Sequence, residues 1–319
     1  MRRLRAAAHD QLVVPAKAGT WRLCYLLHVN QVTGSRLSPG RWAKRSFVVS
    51  MSDLHAAAKR CLDACDPVEK LCLTHAAWAA LQSGELHPDP ASSAPEPICA
   101  PGRPERPQLV PQRQVPHRGL GTPEGRAALA HAVAHIEFNA INLAWDAVYR
   151  FRGMPEAYYR DWASCANDEA RHFAMLSTRL AELGHAYGDF DAHNGLWEMA
   201  EKTAHHDTAR MALVPRVLEA RGLDVTPSMI ERLRAVGDER TITILEVILR
   251  EEVAHVAAGT RWFRWCCERD GLEPRETFLD LLRDYMGRHL RGPFNREARI
   301  QAGFDEAELD QLTALALES

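Results

Sequence analysis

Apolar residues recur at helical spacing over most of the chain from residue 124 onward. In this part Ala, Leu, Arg and Glu dominate, whereas alternation of Val, Ile and aromatic residues is scarce outside residues 20–50. Apolar positions repeated every three or four residues are typical of amphipathic helices, and strict alternation is typical of strands. The pattern therefore predicts an all-α protein.

Two predicted turns divide the helical part, residues 124–271, into two similar helical hairpins. One turn contains Gly153-Met-Pro155 and the other contains Gly237-Asp238. The Thr226-Pro227 step lies inside the third helix. Because Pro lacks an amide donor and clashes with the carbonyl four residues earlier, we expect this helix to be interrupted or kinked there.

Two Glu-x-x-His tetrads occupy the second and fourth predicted helices. Glu169 precedes His172 by three positions, and Glu252 precedes His255 by the same spacing. Residues three positions apart are neighbours on a helix surface, so each tetrad can offer one metal a carboxylate oxygen and a ring nitrogen. The flanking residues are apolar, and a buried carboxylate is costly unless it is paired or metal-bound. Two metal positions are therefore favoured over two solvated charged faces.

The first and third predicted helices each carry one acid in apolar surroundings. Glu137 has apolar residues three and four positions away on both sides, and Glu219 follows the apolar-rich stretch 211–218. The intervals from 137 to 169 and from 219 to 252 are nearly equal, and each has a predicted turn near its middle. Di-metal bundles take one Glu from each of two helices and a Glu-x-x-His pair from each of the others. The sequence matches this arrangement.

Several segments together resemble the ferritin-like superfamily, and more closely the DUF455 ferritin-like proteins. The resemblance covers about residues 124–304. It rests on His135-Ile-Glu137, Asn167-Asp-Glu-Ala-Arg-His172, Leu218-Glu-Ala-Arg-Gly-Leu-Asp224, Glu251-Glu-Val-Ala-His255, Gly259-Thr-Arg-Trp-Phe263, Pro293-Phe-Asn295 and Ala302-Gly-Phe304. It implies a four-helix bundle with a di-iron site, whose ligands would be Glu137, Glu169, His172, Glu219, Glu252 and His255.

One position departs from this resemblance, because Glu251 stands where an Asp is common. The choice of ligand between Glu251 and Glu252 is therefore open, although the spacing to His255 favours Glu252.

The donor types indicate which metal and which chemistry to expect. Carboxylates and imidazoles suit iron or manganese better than copper(I) or thiolate-bound zinc, and we expect two iron ions. Four carboxylates also balance the charge of two divalent ions, which makes oxygen activation chemically reasonable. By analogy of fold we predict a di-iron oxidoreductase that uses dioxygen or a peroxide to hydroxylate or otherwise oxidise a small-molecule or other substrate. The alternatives are a non-catalytic iron-binding or storage protein, and a bundle that keeps its ligands for structure alone.

Three regions flank or precede the bundle. Residues 51–85 are predicted to be a short helical region, because Asp66, Pro67 and Glu69 form a helix-start signal. Residues 86–123 contain ten prolines and are predicted to be an extended arm lying on the bundle or a plain linker. Residues 272–319 are predicted to form a C-terminal helical extension.

The first 50 residues differ from the rest in charge. They contain nine basic residues and one acidic residue, whereas residues 51–319 contain 30 basic and 41 acidic residues. A basic leader is typical of a transit peptide, but this one has no clear helical period. We favour a disordered segment or an upstream extension created by a misplaced start codon, with Met51 as the natural start.

The remaining features exclude several classes of function. No apolar run reaches the roughly 18 residues of a membrane-spanning helix. The acidic main body lacks the basic stripe of a nucleic-acid binder. The eight cysteines show no Cys-x-x-Cys spacing and follow no secretory leader, so we expect reduced thiols and a cytoplasmic protein. A homodimer is compatible with this fold.

Four further histidines are candidate ligands by residue type. His205 and His206 have polar neighbours and are predicted to lie on an exposed face, where they would line an entrance. His131 and His135 share a helix face. We expect His135 to serve in packing or in support of the site rather than as a ligand.

Overall fold

A computed structural model describes residues 52–287 and 290–318. Over these residues the protein is helical and has no β-strands, apart from two isolated bridges. The predicted all-α class is therefore confirmed. The helices are α1 (Leu54–Asp63), α2 (Pro67–Gln82), α3 (Pro123–Arg150), α4 (Glu156–Glu182), α5 (Gly195–Lys202), α6 (Asp207–Leu213), α7 (Ala220–Arg234), α8 (Glu239–Asp270), α9 (Pro274–Met286), α10 (Arg296–Gln301) and α11 (Glu306–Glu318). A π-helical turn (Val214–Glu219) joins α6 to α7, and a 3₁₀ turn (Gln112–Gln114) precedes α3.

Local sequence signals set the start of α3 and both ends of α8. Thr122 caps α3 through a hydrogen bond from the Gly125 amide, with Pro123 in the first position. Asp238 caps α8 in the same way, and Gly271 ends it in a left-handed conformation. The chain reverses before α4 and again before α8, at the two places where the sequence predicts turns.

The long helical segments pack in pairs around one apolar interior. Helix α3 packs along α4, the α6–α7 segment packs along α8, and α4 packs against α8. Helices α1 and α2 cover the outer faces of α3 and α4, while α9 and α10 pack against α8 and the α6–α7 segment. Buried aromatic rings, among them those of Trp145, Tyr158 and Phe263, fill this core.

The expected interruption of the third helix at Pro227 is wrong, because α7 continues through this residue. The carbonyl that Pro227 leaves without a helical donor belongs to Leu223, and it accepts a hydrogen bond from Nδ2 of Asn295 at 3.1 Å. A side chain from the C-terminal region thus replaces the missing amide. The helical irregularity lies instead at the π-helical turn, which contains Pro215 and ends at Glu219.

Close packing supports the π-helical turn. Gly259 on α8 faces the Pro215 ring so closely that an added Cβ would lie 2.3 Å from Cβ of Pro215 and 2.4 Å from its Cγ. The absence of a side chain at residue 259 is therefore what lets the turn approach α8.

We expect Gly259→Ala to lower the free energy of unfolding of the metal-free protein by about 1–3 kcal/mol, because the rigid Pro215 ring cannot yield. The matched control is Gly222→Ala on α7, where the added Cβ would meet its nearest neighbour at an ordinary 3.9 Å. That change should stabilise the helix by up to about 1 kcal/mol. Urea unfolding measures both. Equal effects of the two substitutions would contradict the packing described for the turn.

The Pro-rich segment before α3 is held along the helices by hydrogen bonds. The Gly102 amide donates to the Leu62 carbonyl at 2.6 Å, and the Trp197 indole donates to the Cys99 carbonyl at 3.1 Å. The Val110 amide donates to the Ala192 carbonyl at 2.8 Å. The prediction for residues 1–50 concerns a segment outside the described residues.

In the described ranges, every helix is too short or too polar to cross a bilayer. Among the cysteines in these ranges, Cys61, Cys65, Cys99, Cys165, Cys266 and Cys267 are not in disulfide bonds.

Candidate metal centre

The two Glu-x-x-His tetrads face each other across the contact between α4 and α8. Each pair is held by a long helix, so the carboxylate and the imidazole of a pair lie on one face. Glu169, His172, Glu252 and His255 are all buried. Glu137 on α3 is buried beside them and is 4% exposed.

Two groups of potential ligands overlap at Glu169. One contains Glu137, Glu169 and His172, and the other contains Glu169, Glu252 and His255. In each group the potential ligand atoms lie within 4.8 Å of one another. Sharing of one carboxylate by two groups is the geometry required of a ligand between two metal ions.

Single distances show how Glu169 is shared. Its Oε2 lies 3.3 Å from Nδ1 of His172, and its Oε1 lies 2.9 Å from Nδ1 of His255. Each carboxylate oxygen thus faces a different imidazole. Each Nδ1 also faces a second carboxylate. Oε2 of Glu137 lies 3.1 Å from Nδ1 of His172, and Oε2 of Glu252 lies 3.2 Å from Nδ1 of His255.

Glu219, the sixth predicted ligand, belongs to neither group. It is the last residue of the π-helical turn and is half-buried. Burial of its carboxyl and repulsion from Glu252 and Glu169 raise its pKa well above the usual range, so the group lies at the edge of the same charge cluster. The structure therefore brings five predicted ligands together and leaves the sixth next to them. Irregular π-helical turns are frequent at functional sites.

The other nitrogen of each imidazole pairs with an acid on the opposite helix. Nε2 of His172 lies 2.8 Å from Oε2 of Glu251, and Nε2 of His255 lies 3.5 Å from Oδ2 of Asp168. Arg171 joins the two acids, donating to Asp168 at 2.9 Å and to Glu251 at 2.6 Å. Such partners fix the ring orientation and tautomer, leaving Nδ1 for a metal.

Sequence reasoning did not assign roles to Asp168 and Arg171. The signal was present, because an acid directly precedes the Glu of both tetrads. The same contacts bear on the choice left open between Glu251 and Glu252. Glu252 lies in a ligand group with His255, whereas Glu251 contacts His172 on its Nε2 side.

Protons and positive charge on the imidazoles compensate these buried carboxylates. Burial and the adjacent Glu169 carboxylate raise the pKa of Glu137 well above its usual range. For Glu169, hydrogen bonds with Glu137, His172 and His255 outweigh burial and hold the pKa well below its usual range. Hydrogen bonds with Glu137 and Glu169 likewise outweigh burial and raise the pKa of His172 to about 11.

The donor set fits hard or intermediate divalent cations. Metal binding requires ionised carboxylates and neutral imidazoles, so cations entering this cluster would displace the protons that now compensate it. A thiol also lies close, since Cys165 is buried one helical turn from Glu169 and interacts with His255. Burial raises the pKa of Cys165 to about 12, so it is a protonated thiol and a poor ligand.

The other histidines lie outside both ligand groups. Nδ1 of His135 lies 2.9 Å from the hydroxyl of Tyr187, and Nε2 of His131 accepts the Gly188 amide at 2.9 Å, so both rings have packing roles. His205 and His206 are exposed, as expected. Nδ1 of His206 lies at the start of α6 and accepts the Ala209 amide there.

Comparison with known proteins relates the chain to sequences without an assigned activity. A family model described as "Protein of unknown function (DUF455)" matches residues 63–310. An uncharacterized protein of Haemophilus influenzae is 48% identical over 214 residues, which make up 65% of this chain and 74% of that protein. No solved structure matches the chain. The range of the family model includes α3 to α8, which carry the whole candidate centre.

Proposed function

The chain belongs to the DUF455 family, and we propose that this protein is a ferritin-like di-iron oxidoreductase. In this proposal it uses dioxygen or a peroxide to hydroxylate or otherwise oxidise a substrate that is still to be identified. The observation that carries the proposal is the position of Glu169 between His172 and His255, one carboxylate oxygen to each ring.

The arrangement of helices supports the ferritin-like part of the proposal. Helix α3 contributes Glu137 and its hairpin partner α4 contributes the first tetrad. The α6–α7 segment contributes Glu219 and its partner α8 contributes the second tetrad. One Glu followed by one Glu-x-x-His pair, in two successive hairpins, is the ligand order of di-iron carboxylate bundles.

The charge balance supports two divalent ions. Once ionised, as metal binding requires, Glu137, Glu169, Glu219 and Glu252 would provide four negative charges in or beside an apolar core, and burial of such charges is costly unless they are compensated. Two divalent cations would provide four positive charges. Oxygen and nitrogen donors favour iron, with manganese as the second choice.

The surrounding residues would prepare the centre for reaction. Bound iron would supply the electrons for reduction of dioxygen or a peroxide. Asp168 and Glu251 hold the imidazoles through Nε2, which keeps each Nδ1 directed at the carboxylates. The buried rings of Phe138 and Phe173, which follow Glu137 and His172 in the sequence, pack together with their centres 5.4 Å apart, so α3 and α4 are in apolar contact near the centre.

Oxygen consumption tests this function against iron storage. Protein loaded with two Fe(II) per chain without oxygen is exposed to oxygen in the presence of excess ascorbate. A catalytic centre is expected to consume oxygen through many turnovers while its iron content stays at two per chain. Uptake of many irons per chain, together with an assembly of many subunits on size exclusion, would instead identify a storage protein. Retention of iron without any oxygen consumption would contradict the oxidoreductase proposal.

A further inference from the structure

Arg216 is a buried cation inside the π-helical turn that ends at Glu219. Its side chain has no solvent exposure. The guanidinium carbon lies 4.8, 4.1 and 4.5 Å from the ring centres of Phe263, Phe278 and Phe304, which belong to α8, α9 and the loop before α11. Three aromatic faces around one guanidinium give cation–π contacts from three sides. The turn is therefore fixed to the C-terminal part of the chain through this one side chain.

An acid from α11 completes the surroundings of Arg216. Oε1 of Glu308 accepts a hydrogen bond from Nη2 of Arg216 at 2.7 Å, and both side chains are buried. The other oxygen of Glu308 accepts from the Asp305 amide at 3.0 Å, while Asp305 Oδ1 accepts from the Glu308 amide at 2.8 Å. This reciprocal capping fixes the start of α11. Glu308 thus has one orientation, and so does the arginine that it holds.

The C-terminal region also holds the chain beyond Glu219. Arg299 on α10 forms two hydrogen bonds to Asp224 on α7, at 2.9 and 2.8 Å, and both of these side chains are nearly inaccessible. Asn295 donates from its amide to Asp224 at 2.9 Å and from its side chain to the Leu223 carbonyl. The chain is therefore held at Arg216, three residues before Glu219, and again at Leu223 and Asp224, four and five residues after Glu219.

Glu219 needs external positioning more than the other acids of the centre. The carboxylates of Glu137, Glu169 and Glu252 each lie within 3.3 Å of an imidazole nitrogen, so contacts inside the centre fix them. Glu219 lies outside both ligand groups and on a turn with irregular helical hydrogen bonding. The distance between the Glu219 carboxylate and the two ligand groups is therefore set by the contacts that hold the π-helical turn.

We propose that the buried Arg216–Glu308 pair is a positioning device, through which the C-terminal helices place Glu219 as a ligand of the metal ion on the His255 side. This inference rests on the proposed two-metal function. It makes the two metal positions unequal, because Glu137, Glu169 and His172 belong to α3 and α4 and none of them lies on the turn that this pair holds. Loss of the pair should therefore weaken one metal position and spare the other.

Anaerobic Fe(II) titration of the full chain, with stepwise affinities for the two ions, tests the inference. In Glu308→Ala we expect the first iron to bind within about twofold of the wild-type affinity and the second at least tenfold more weakly, a difference of about 1.4 kcal/mol. Glu308→Gln keeps an acceptor for Arg216 and should recover most of the affinity for the second iron. A role in stability alone would produce no such split between the two ions.

The matched control is Asp238→Ala. Asp238 is also a buried acid that pairs with an arginine, Arg179, and caps a helix, but it lies at the far end of α8, about 20 Å from Glu252 along the helix. The Asp238→Ala substitution should lower the melting temperature without selective loss of the second iron. If Glu308→Ala does not fold, Arg299→Gln, which removes the two hydrogen bonds from the Arg299 guanidinium to Asp224, is expected to give the same split.

Three outcomes are distinguishable. Two irons bound with unchanged affinities in Glu308→Ala would overturn the positioning role and leave the proposed function intact. If Glu308→Ala lowered the affinities for both irons by the same factor, as for a purely destabilising change such as Asp238→Ala, the pair would contribute only to stability. That result would also overturn the inference. A wild-type chain that binds no pair of metal ions would refute the proposed function itself.

Discussion

Replacement of Glu169 by Gln is expected to reduce bound iron from two ions per chain to at most one. Glu169 is the residue common to both ligand groups, and its two oxygens face different imidazoles. Gln keeps the shape of the side chain but removes the negative charge and one of the two anionic oxygens. Substitution of a residue that only supports a ligand already costs about 10–100-fold in metal affinity, so we expect a loss of at least about 100-fold here.

The control for Glu169→Gln is His206→Asn. His206 is exposed and outside both ligand groups, and Asn retains the ability to cap α6. This variant should bind iron like the wild type.

Glu169→Ala and Glu252→Ala extend the test, because Glu252 belongs to the ligand group that contains His255. If Glu169→Ala or Glu252→Ala still bound two irons with unchanged affinity and gave the same optical bands after oxygen exposure, the shared centre would be wrong.

Removal of metal is expected to lower the stability of the protein strongly. Metal that binds the folded chain and not the unfolded chain stabilises it by about 4 kcal/mol when its free concentration is 1,000 times Kd. In a domain of this size 1 kcal/mol corresponds to roughly 2–4 °C, so chelation should lower the melting temperature by about 10 °C. Bound metal stabilises the fold because it compensates the buried carboxylates. When no cation is present, only protons compensate them.

Differential scanning calorimetry of metal-loaded and chelated protein measures this effect. The Glu169→Gln variant is the internal control, because a chain without the Glu169 carboxylate should show a much smaller change in melting temperature on chelation than the wild type. A wild-type melting temperature that does not respond to chelation would contradict the assignment of the buried acids as metal ligands.

Short-range signals in the sequence predict much of the fold. The turns before α4 and α8 follow from Gly153 with Pro155 and from Gly237 with Asp238, because left-handed glycines and helix caps act within a few residues. The two tetrads likewise follow from helical periodicity, since their apolar neighbours indicate burial without any knowledge of the partner helix.

Long-range contacts explain what the sequence did not predict. Pro227 is a helix breaker by local rules, yet α7 continues because Asn295, far along the chain, supplies the missing hydrogen bond. The sequence likewise does not reveal that Arg216 is buried, since its counter-ion Glu308 and two of its three aromatic neighbours lie beyond the end of α8 in the sequence. The π-helical turn depends on such contacts, and periodicity alone placed Glu219 on a regular helix.

The residues that support the imidazoles of the centre are predictable from the sequence only in part. Asp168 and Glu251 occupy equivalent positions directly before the two tetrads, which the local sequence pattern shows. Their crossed contacts, from Asp168 to His255 and from Glu251 to His172, depend on how α4 and α8 face each other.

Anaerobic titration with ⁵⁷Fe(II), followed by oxygen exposure and Mössbauer spectroscopy, is the decisive measurement for a two-iron centre shared at Glu169. We expect saturation at two irons per chain and, after oxidation, ferric ions coupled through a shared ligand, with a diamagnetic ground state at low temperature. The Glu169→Gln variant should give no coupled pair. Saturation at one iron per chain, or two ferric ions with the magnetically split spectra of isolated high-spin sites, would contradict a shared centre at Glu169.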